Sequence, residues 1–149
     1  MTVESFWQEF LTSAGLNSSV KYESCDYFDN NEEGAAKCLE MILVGKQRAT
    51  TGSGLGRKRK LPQVGDYNIV TDWHGAPHCV TQTTAVTIMP FNEMTFKLCH
   101  REGAYDSLEA WRADHRRFFT ELGKERGFEF TEDMPIVFVD FEVVYVKKQ

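Results

Sequence analysis

Apolar residues in the first third of the chain recur at helical spacing in two segments. From Ser5 to Ala14 they lie on one side of a predicted short amphipathic helix. A second helix is predicted from about Asn31 to Val44, where apolar residues again form one stripe. Gly45 follows at the position where glycine often ends a helix. The pattern therefore predicts two helices before the middle of the chain.

Strands are predicted in the middle and at the end of the chain. Tyr67–Trp73 and His78–Met89 have the composition of strands, and the turn residues 74–77 between them predict a β-hairpin. Ile136–Val146 alternates as a long final strand does. Residues 50–56, in which three glycines alternate with other residues, are predicted to form a mobile loop.

The segment between the hairpin and the final strand is predicted to be helical. Residues 93–102 have helical character, and Asp106 is predicted to cap a longer helix, with Glu109 completing a capping box. That helix has a wide apolar face that includes Trp111 and His115, and the histidine is expected to be buried and hydrogen-bonded. Because helices and strands do not alternate in a βαβ rhythm, the order favours an antiparallel α+β barrel over a doubly wound sheet.

Length and charge narrow the classes of function. The 149 residues fit a single domain, 1–149, and no apolar run approaches the roughly 20 residues that span a bilayer. The net charge of −5 argues against a general nucleic-acid coat. Residues 45–61 nevertheless hold six basic residues and no acidic one, so removing them from −5 leaves −11 for the rest. A local basic site on an acidic body suits a focused anionic ligand.

The cysteines and the N-terminus bear on the compartment. Cys25, Cys38, Cys79 and Cys99 form no C-x-x-C pair, so a zinc knuckle is not predicted. The N-terminus has no basic start followed by an apolar stretch, so a secretory signal is not predicted. We therefore expect a cytoplasmic protein with four reduced thiols.

Neither a metal site nor a P-loop is predicted. His74 and His78 are four residues apart, beside Asp72 and Cys79, but the residues between them have turn chemistry rather than helical character. The glycine-rich segment 52–58 lacks the P-loop spacing, and an arginine follows its lysine where Ser or Thr is required. The sequence therefore predicts no metal and no cofactor.

Four motifs follow one another in an order that a known family shares. They are Gly45-Lys46-Gln47-Arg48-Ala49-Thr50, Pro62-Gln63-Val64-Gly65-Asp66, Glu102-Gly103, and Ser107-Leu108 through Trp111-Arg112, His115 and Phe118-Phe119. Together they resemble the ASCH domain, and more closely its bacterial branch of similar length. The resemblance covers the chain from about residue 35 onward. It implies an α+β fold, a PUA-like and mostly antiparallel β-barrel with flanking helices, after an N-terminal helical extension over about residues 1–30.

The resemblance also implies functions. Members of the family have been linked to RNA binding, some small members hydrolyse N4-acylated cytidines, and ribonuclease activity has been attributed to a bacterial relative. In the hydrolytic members, a lysine and a threonine of the first motif act with a glutamate of the E-G motif. Those positions are Gln47, Thr50 and Glu102 here. Glutamine cannot act as a general base near neutral pH, and Lys46 lies one residue early, on the opposite face of an extended chain.

Candidate site residues follow from these motifs and from local chemistry. Thr50, Glu102 and Lys46 are the catalytic candidates, with Lys46 standing in for the missing lysine only if local geometry differs from the family's. The basic run suits phosphates, and aromatic rings suit stacked bases. Tyr67 and Trp73 share one strand face by parity, so both are expected to line one wall, and Tyr105 and Trp111 are further stacking candidates. The ligand-binding candidates are Lys46, Gln47, Arg48, Thr50, Thr51, Arg57, Lys58, Arg59, Lys60, Tyr67 and Trp73.

Three functions stay open at this level. The first is a binding module with a small basic cleft for RNA or a modified nucleoside. The second is a hydrolase, either an amidohydrolase acting on N4-acylated cytidine or a ribonuclease, so the sequence leaves enzymatic activity undecided. The third is a protein-interaction domain with a degenerate cleft. The expected partner is RNA or a nucleoside or nucleotide ligand, not a membrane, and the sequence does not indicate the oligomeric state.

Overall fold

The fold combines four helices with five strands. A computed structural model describes residues 1–148. The helices and strands, in chain order, are α1 Val3–Ala14, β1 Ser24–Asp26, α2 Glu32–Leu43, β2 Ala49–Ser53, β3 Tyr67–Thr71, β4 Pro77–Pro90, α3 Phe96–Cys99, α4 Leu108–Arg126 and β5 Pro135–Val146. Two 3₁₀ turns, Phe91–Glu93 and His100–Glu102, flank α3. The three long helices and the hairpin confirm the predicted elements to within a few residues.

The strands form one curled sheet in the order β1-β3-β4-β5-β2. β1 runs parallel to β3, while the other three neighbouring pairs are antiparallel. β4 and β5 pair from Cys79 opposite Val146 to Pro90 opposite Pro135, with register shifts after Val80 and after Thr83. Such bulges bend a strand and increase its twist, which curls the sheet into a half-barrel. The predicted mostly antiparallel α+β barrel is confirmed.

Helices cover both faces and one end of the sheet. Neighbouring residues of a strand point to opposite faces, so on β3 Ile69 packs against α1 while Val70 packs against α2. The third cluster lies between α4 and the N-terminal half of β5, around Trp111 and Phe138. The fully buried large side chains of the three clusters include Phe6, Ile42, Ile69, Val80, Phe91, Trp111, Phe119, Ile136 and Phe138.

The prediction of a mobile loop over residues 50–56 is wrong for its first half. Ala49–Ser53 is an edge strand that pairs with β5, with Thr50 opposite Val139. Its buried positions alternate, but they carry small or polar side chains, so no apolar period marks the strand. The segment then turns at Gly54, where an added Cβ would lie 2.9 Å from the Pro135 carbonyl oxygen. Glycine permits this close approach of two backbones.

The predicted common face of Tyr67 and Trp73 is also wrong. β3 ends at Thr71, and the register with β4 shifts between Val70 and Thr71, so strand parity does not extend to Trp73. Tyr67 packs edge-on against Trp7 and Phe10 of α1. Trp73 instead contacts the ring of Tyr27, with centroids 4.6 Å apart.

The helical segment before α4 is shorter and begins differently from the prediction. The expected helix over 93–102 is divided, because Met94 and Thr95 have extended backbone and Thr95 starts a new helix by capping Leu98. The cap of α4 is Ser107, not Asp106: the Ser107 hydroxyl accepts from the Ala110 N–H at 3.1 Å. The predicted capping box is therefore absent at its predicted position.

This cap gives a direct test. We expect Ser107→Ala to lower the free energy of unfolding by about 0.5–2 kcal/mol, because one N–H of the first helical turn loses its acceptor. The matched control is Asp106→Ala, which removes only a weak interaction with the helix dipole and is expected to cost less. Urea unfolding followed by circular dichroism measures both variants. A larger loss in Asp106→Ala would contradict the assignment.

All four cysteines are free, and burial raises the pKa of the Cys79 thiol to about 12.

Among residues 1–148, no helix combines the length and apolarity needed to cross a bilayer.

Candidate functional site

A cleft of about 770 Å³ lies between α2, β2 and α4, with the 3₁₀ turn at Glu102 as its floor. We call it the central cleft. The loop before α2 closes one side, and the exposed face of α4 forms the other. Its polar lining residues are Asp29, Asn30, Asn31, Gln47, Thr50, Thr51, Glu102, Tyr105, Asp114, His115, Arg117, Glu121 and Glu125.

Glu102 is the buried carboxylate at the floor of the cleft, with 6% of its surface exposed. Its Oε2 accepts hydrogen bonds from the Thr51 hydroxyl at 2.9 Å and from the Trp111 indole N–H at 2.6 Å. Its Oε1 lies 3.5 Å from Nε2 of His115. A buried charge is tolerated when it is hydrogen-bonded and paired, and β2 and α4 supply these partners.

His115 is held against Glu102 by the helix that carries it. Its ring stacks on Trp111 with centroids 4.3 Å apart, and its Nδ1 lies 3.1 Å from the Trp111 carbonyl oxygen. A carbonyl only accepts, so Nδ1 carries a proton and Nε2 faces the carboxylate. The prediction of a buried, hydrogen-bonded histidine is confirmed.

Gln47 supplies an unused hydrogen-bond acceptor. The residue follows α2, whose Met41 carbonyl accepts from the backbone N–H groups of both Lys46 and Gln47. The Gln47 side chain is buried, with 6% exposed, and its Nε2 donates to the Ala49 carbonyl at 3.4 Å. Its Oε1 has no hydrogen-bond partner among residues 1–148. The opposite amide orientation would bring two oxygens together, so the free atom is an acceptor.

The two threonines of β2 have different surroundings. Thr51 is buried and donates to Glu102, whereas Thr50 is half-buried. Thr50 lies at the boundary between the central cleft and a second cavity of about 450 Å³ inside the curled sheet, which we call the barrel chamber. The structure therefore brings Gln47, Thr50, Thr51 and Glu102 together, and the hydroxyl that contacts Glu102 is that of Thr51.

Lys46 and Arg48 are not brought to this group. Both are exposed and lie outside the lining of the central cleft. The Arg48 backbone instead joins the sheet to the 3₁₀ turn, because its N–H donates to the Arg101 carbonyl and its carbonyl accepts from Phe141. Since Gln47 between them is buried, alternation along the extended chain turns its two neighbours outward.

The basic residues at 57–60 differ in whether their charge is paired. Arg59 pairs with Asp26 at 3.5 Å and Lys60 pairs with Glu23 at 3.2 Å, beside the short strand β1. Lys58 is exposed. All three of Arg57, Arg59 and Lys60 line the barrel chamber, but Arg57 forms no ion pair with a carboxylate of residues 1–148 and instead donates to the Ser53 carbonyl at 2.9 Å. Tyr67 and Trp73 line neither the central cleft nor the barrel chamber.

The central cleft is acidic, so the prediction of a small basic cleft is wrong. Five carboxylates and one guanidinium line it, and Arg117 is already paired with Asp114. The missed signal is a stripe on α4: Asp114, Arg117, Glu121 and Glu125 recur at helical spacing and face the cleft. Such a lining favours neutral or cationic groups and disfavours phosphates.

Tyr105 and Cys38 of the cleft stay protonated near neutral pH. Burial, then the hydrogen bond to Asp114, raises the pKa of Tyr105 above its usual range, so the phenol remains a donor. Burial, followed by the charge of Asp29, raises the pKa of Cys38 to about 11, so this thiol is a poor nucleophile.

Histidine–carboxylate contacts occur elsewhere in the molecule. Asp72 accepts from His78 at 3.0 Å, and His74 contacts Glu32 at 3.0 Å. Within residues 1–148, no group of three or more His, Cys, Asp or Glu side chains is arranged to hold a metal ion.

Comparison with known proteins relates this fold and cleft to a family. The ASCH domain family model matches residues 24–145. An ASCH domain structure from Lactobacillus crispatus JV V101 is 33% identical with a TM-score of 0.87, and the match covers 95% of this chain and 93% of that one. A protein from Enterococcus faecalis V583, assigned to the family DUF984, is 30% identical with a TM-score of 0.87, covering 97% and 88% of the two chains. Comparison with curated proteins gives no significant match.

Proposed function

Because the chain belongs to the ASCH domain family, which is associated with RNA binding, we propose that the central cleft binds RNA or a modified nucleoside through its base. The observation that carries this proposal is the Oε1 of Gln47, a buried acceptor without a partner among residues 1–148, on a residue that lines the cleft. Leaving such a group unpaired costs roughly 1–3 kcal/mol, so a ligand that donates to it is favoured.

The surroundings of Gln47 fit a base better than a phosphate. The Glu102 Oε1 accepts from neither Thr51 nor Trp111 and lies 3.5 Å from His115 Nε2, so it offers a second acceptor in the cleft that Gln47 also lines. An exocyclic amine of cytosine or adenine carries the donors that two such acceptors recognise. A neutral base also enters the acidic cleft without the repulsion that an anion meets. Half-buried Thr50 and the Tyr105 ring complete the walls.

Binding tests this proposal. We expect cytidine, adenosine or N4-acetylcytidine to bind, with uridine weaker, and Gln47→Leu to weaken binding about tenfold, the equivalent of one hydrogen bond. The same variant is expected to unfold at an equal or higher temperature, because it removes an unpaired buried polar atom. Isothermal titration calorimetry measures binding, and thermal unfolding measures stability. The matched control is Gln8→Leu, at an exposed position of α1. Failure of all four nucleosides and of single-stranded RNA to bind contradicts the proposal.

Hydrolysis of an N4-acylated cytidine is the second candidate use of this cleft. The contact of Glu102 with His115 supports it, since the two form an acid–base pair beside the Thr51 hydroxyl. Against it, Gln47 occupies the usual lysine position and Lys46 is directed outward. Incubation with N4-acetylcytidine, followed by chromatography, separates the two uses. Cytidine release that disappears in Glu102→Gln would assign hydrolysis, whereas intact N4-acetylcytidine leaves binding as the function.

A further inference from the structure

The barrel chamber adjoins the central cleft but is less acidic: three carboxylates (Glu23, Asp26, Asp66) and three basic residues (Arg57, Arg59, Lys60) line it. We infer that Arg57 and Thr83 hold a phosphate of the RNA strand whose base occupies the central cleft. The ligand is then a single strand of at least two nucleotides rather than a free nucleoside. This inference rests on the proposed function and adds to it the substrate class and a second subsite.

The two cavities are contiguous. Phe28 and Thr50 line both of them, so a ligand that contacts Thr50 in the central cleft has the chamber at its other side. Their volumes, about 450 Å³ and about 770 Å³, both lie in the range of small-molecule sites. All five strands contribute to the chamber wall, which makes it the interior of the half-barrel.

Arg57 is a positive charge without a counter-charge. Its side chain is held by the carbonyls of Ser53 and Lys60, its Nε is buried without a partner, and it forms no ion pair with any carboxylate of residues 1–148. Burial, and then the neighbouring charge of Arg126, lowers the pKa of Arg57 below its usual value. A bound anion would relieve this repulsion and accept from the free N–H.

Thr83 supplies a second unused polar group in the same chamber. The residue lies on β4, with 2% of its surface exposed, and its hydroxyl has no partner in the described part of the chain. A hydroxyl donates as well as accepts, so it can bind a phosphate oxygen. The Arg57 Nε and the Thr83 hydroxyl are buried atoms without a partner among residues 1–148, and both residues line one cavity, an arrangement that a ligand would complete.

The other basic residues of the run are poor candidates for this role. Arg59 and Lys60 also line the chamber, but they are already paired with Asp26 and Glu23, and their side chains are 64% and 66% exposed. Exposed pairs of this kind contribute little and are screened by salt. Arg57 therefore stands apart from its neighbours in sequence, and Arg59 provides a matched control.

The charges that line the two cavities indicate which part of a nucleotide each cavity would bind. Five carboxylates line the central cleft, so a phosphate there meets repulsion, while a neutral base does not. The uncompensated guanidinium in the chamber attracts the phosphate. The chamber lining balances three carboxylates with three basic residues, of which only Arg57 is unpaired with a carboxylate of residues 1–148. A dinucleotide places a base and its neighbouring phosphate together, which matches an acidic cleft beside a chamber with one unpaired cation.

Affinity for dinucleotides tests the inference. The full chain is titrated with cytidine, adenosine and the dinucleoside monophosphates CpC and ApA at several salt concentrations. We expect a dinucleotide to bind at least about tenfold more tightly than its nucleoside. The logarithm of its binding constant is expected to fall with the logarithm of salt concentration, at a slope near that of one phosphate contact on a single strand. Arg57→Gln is expected to remove this advantage and the slope while leaving nucleoside affinity unchanged. Arg59→Gln is expected to change affinity less than about twofold.

Thr83→Val is a second variant that keeps side-chain shape and removes only the hydroxyl, so it is expected to weaken dinucleotide binding without impairing folding. The inference is overturned if dinucleotides bind no more tightly than nucleosides. It is also overturned if Arg57→Gln and Arg59→Gln have equal effects. Binding of nucleosides alone would leave the proposed function intact, whereas absence of binding by every ligand overturns both.

Discussion

Trp111→Ala is expected to lower the free energy of unfolding by about 3–5 kcal/mol, the range for large aromatic side chains removed from a core. The Trp111 ring is fully buried, stacks on Phe91 at 5.2 Å and lies in the cluster between α4 and β5. Its indole N–H also donates to Glu102 at 2.6 Å. The substitution therefore opens a cavity and removes a donor from a buried carboxylate, and both effects act in the same direction.

Two further variants separate these effects. Trp111→Phe keeps most of the aromatic packing but loses the N–H, so we expect a smaller loss that includes about 1.5–3 kcal/mol for a hydrogen bond to a charged group. Trp73→Ala removes the same residue type from a partly exposed site outside this core and is expected to cost less than Trp111→Ala. Urea unfolding monitored by circular dichroism measures all three. Equal stability of Trp111→Phe and the natural protein would show that the bond to Glu102 contributes nothing.

The second large effect is expected at Gly103, which follows Glu102. Gly103 has φ +82°, and an added Cβ would lie 2.7 Å from the carbonyl oxygen of Lys46. We expect Gly103→Ala to lower the free energy of unfolding by about 2–5 kcal/mol, of which about 1–2 kcal/mol is left-handed backbone strain and the rest steric conflict. Lys46 precedes Gln47, so relief of the conflict also displaces the cleft acceptor and weakens ligand binding.

A second glycine isolates the steric part of this effect. Gly75 has φ +91°, and an added Cβ there would meet nothing within 4 Å. Gly75→Ala is therefore expected to cost only the backbone strain, about 1–2 kcal/mol, and to leave ligand binding unchanged. Urea unfolding of both variants gives the difference. Equal losses would mean that the Gly103 turn moves freely away from Lys46, and the close approach would then have no structural role.

Local patterns predicted most of the fold. The amphipathic stripes of α1, α2 and α4 and the long strands β4 and β5 were all predicted, because each buries one face and so carries its own period. The resemblance to the ASCH domain is confirmed by the family match. Two of the local predictions that were wrong share one reason. The edge strand β2 and the Ser107 cap depend on which partner the backbone meets, which periodicity does not encode.

The candidate site was predicted only in part. The motif positions Gln47, Thr50 and Glu102 lie in one cleft, as do Thr51 and Tyr105. The basic character expected of that cleft was wrong. Lys46 and Arg48 turn outward, and the carboxylates of one α4 face turn inward. The sequence shows both sets of charges, but not which set faces the cavity.

The sequence by itself determined the long helices and strands, the family and the residue types available for chemistry. The tertiary structure alone decided their partners, because the groups that define the site are distant in the chain. Thr51 reaches Glu102 across 51 residues, and the free acceptor of Gln47 is recognised only once its surroundings are packed. Arg57 and Arg59 are equivalent as sequence neighbours. They differ in the folded protein because Arg59 pairs with Asp26, whereas Arg57 pairs with no carboxylate of residues 1–148.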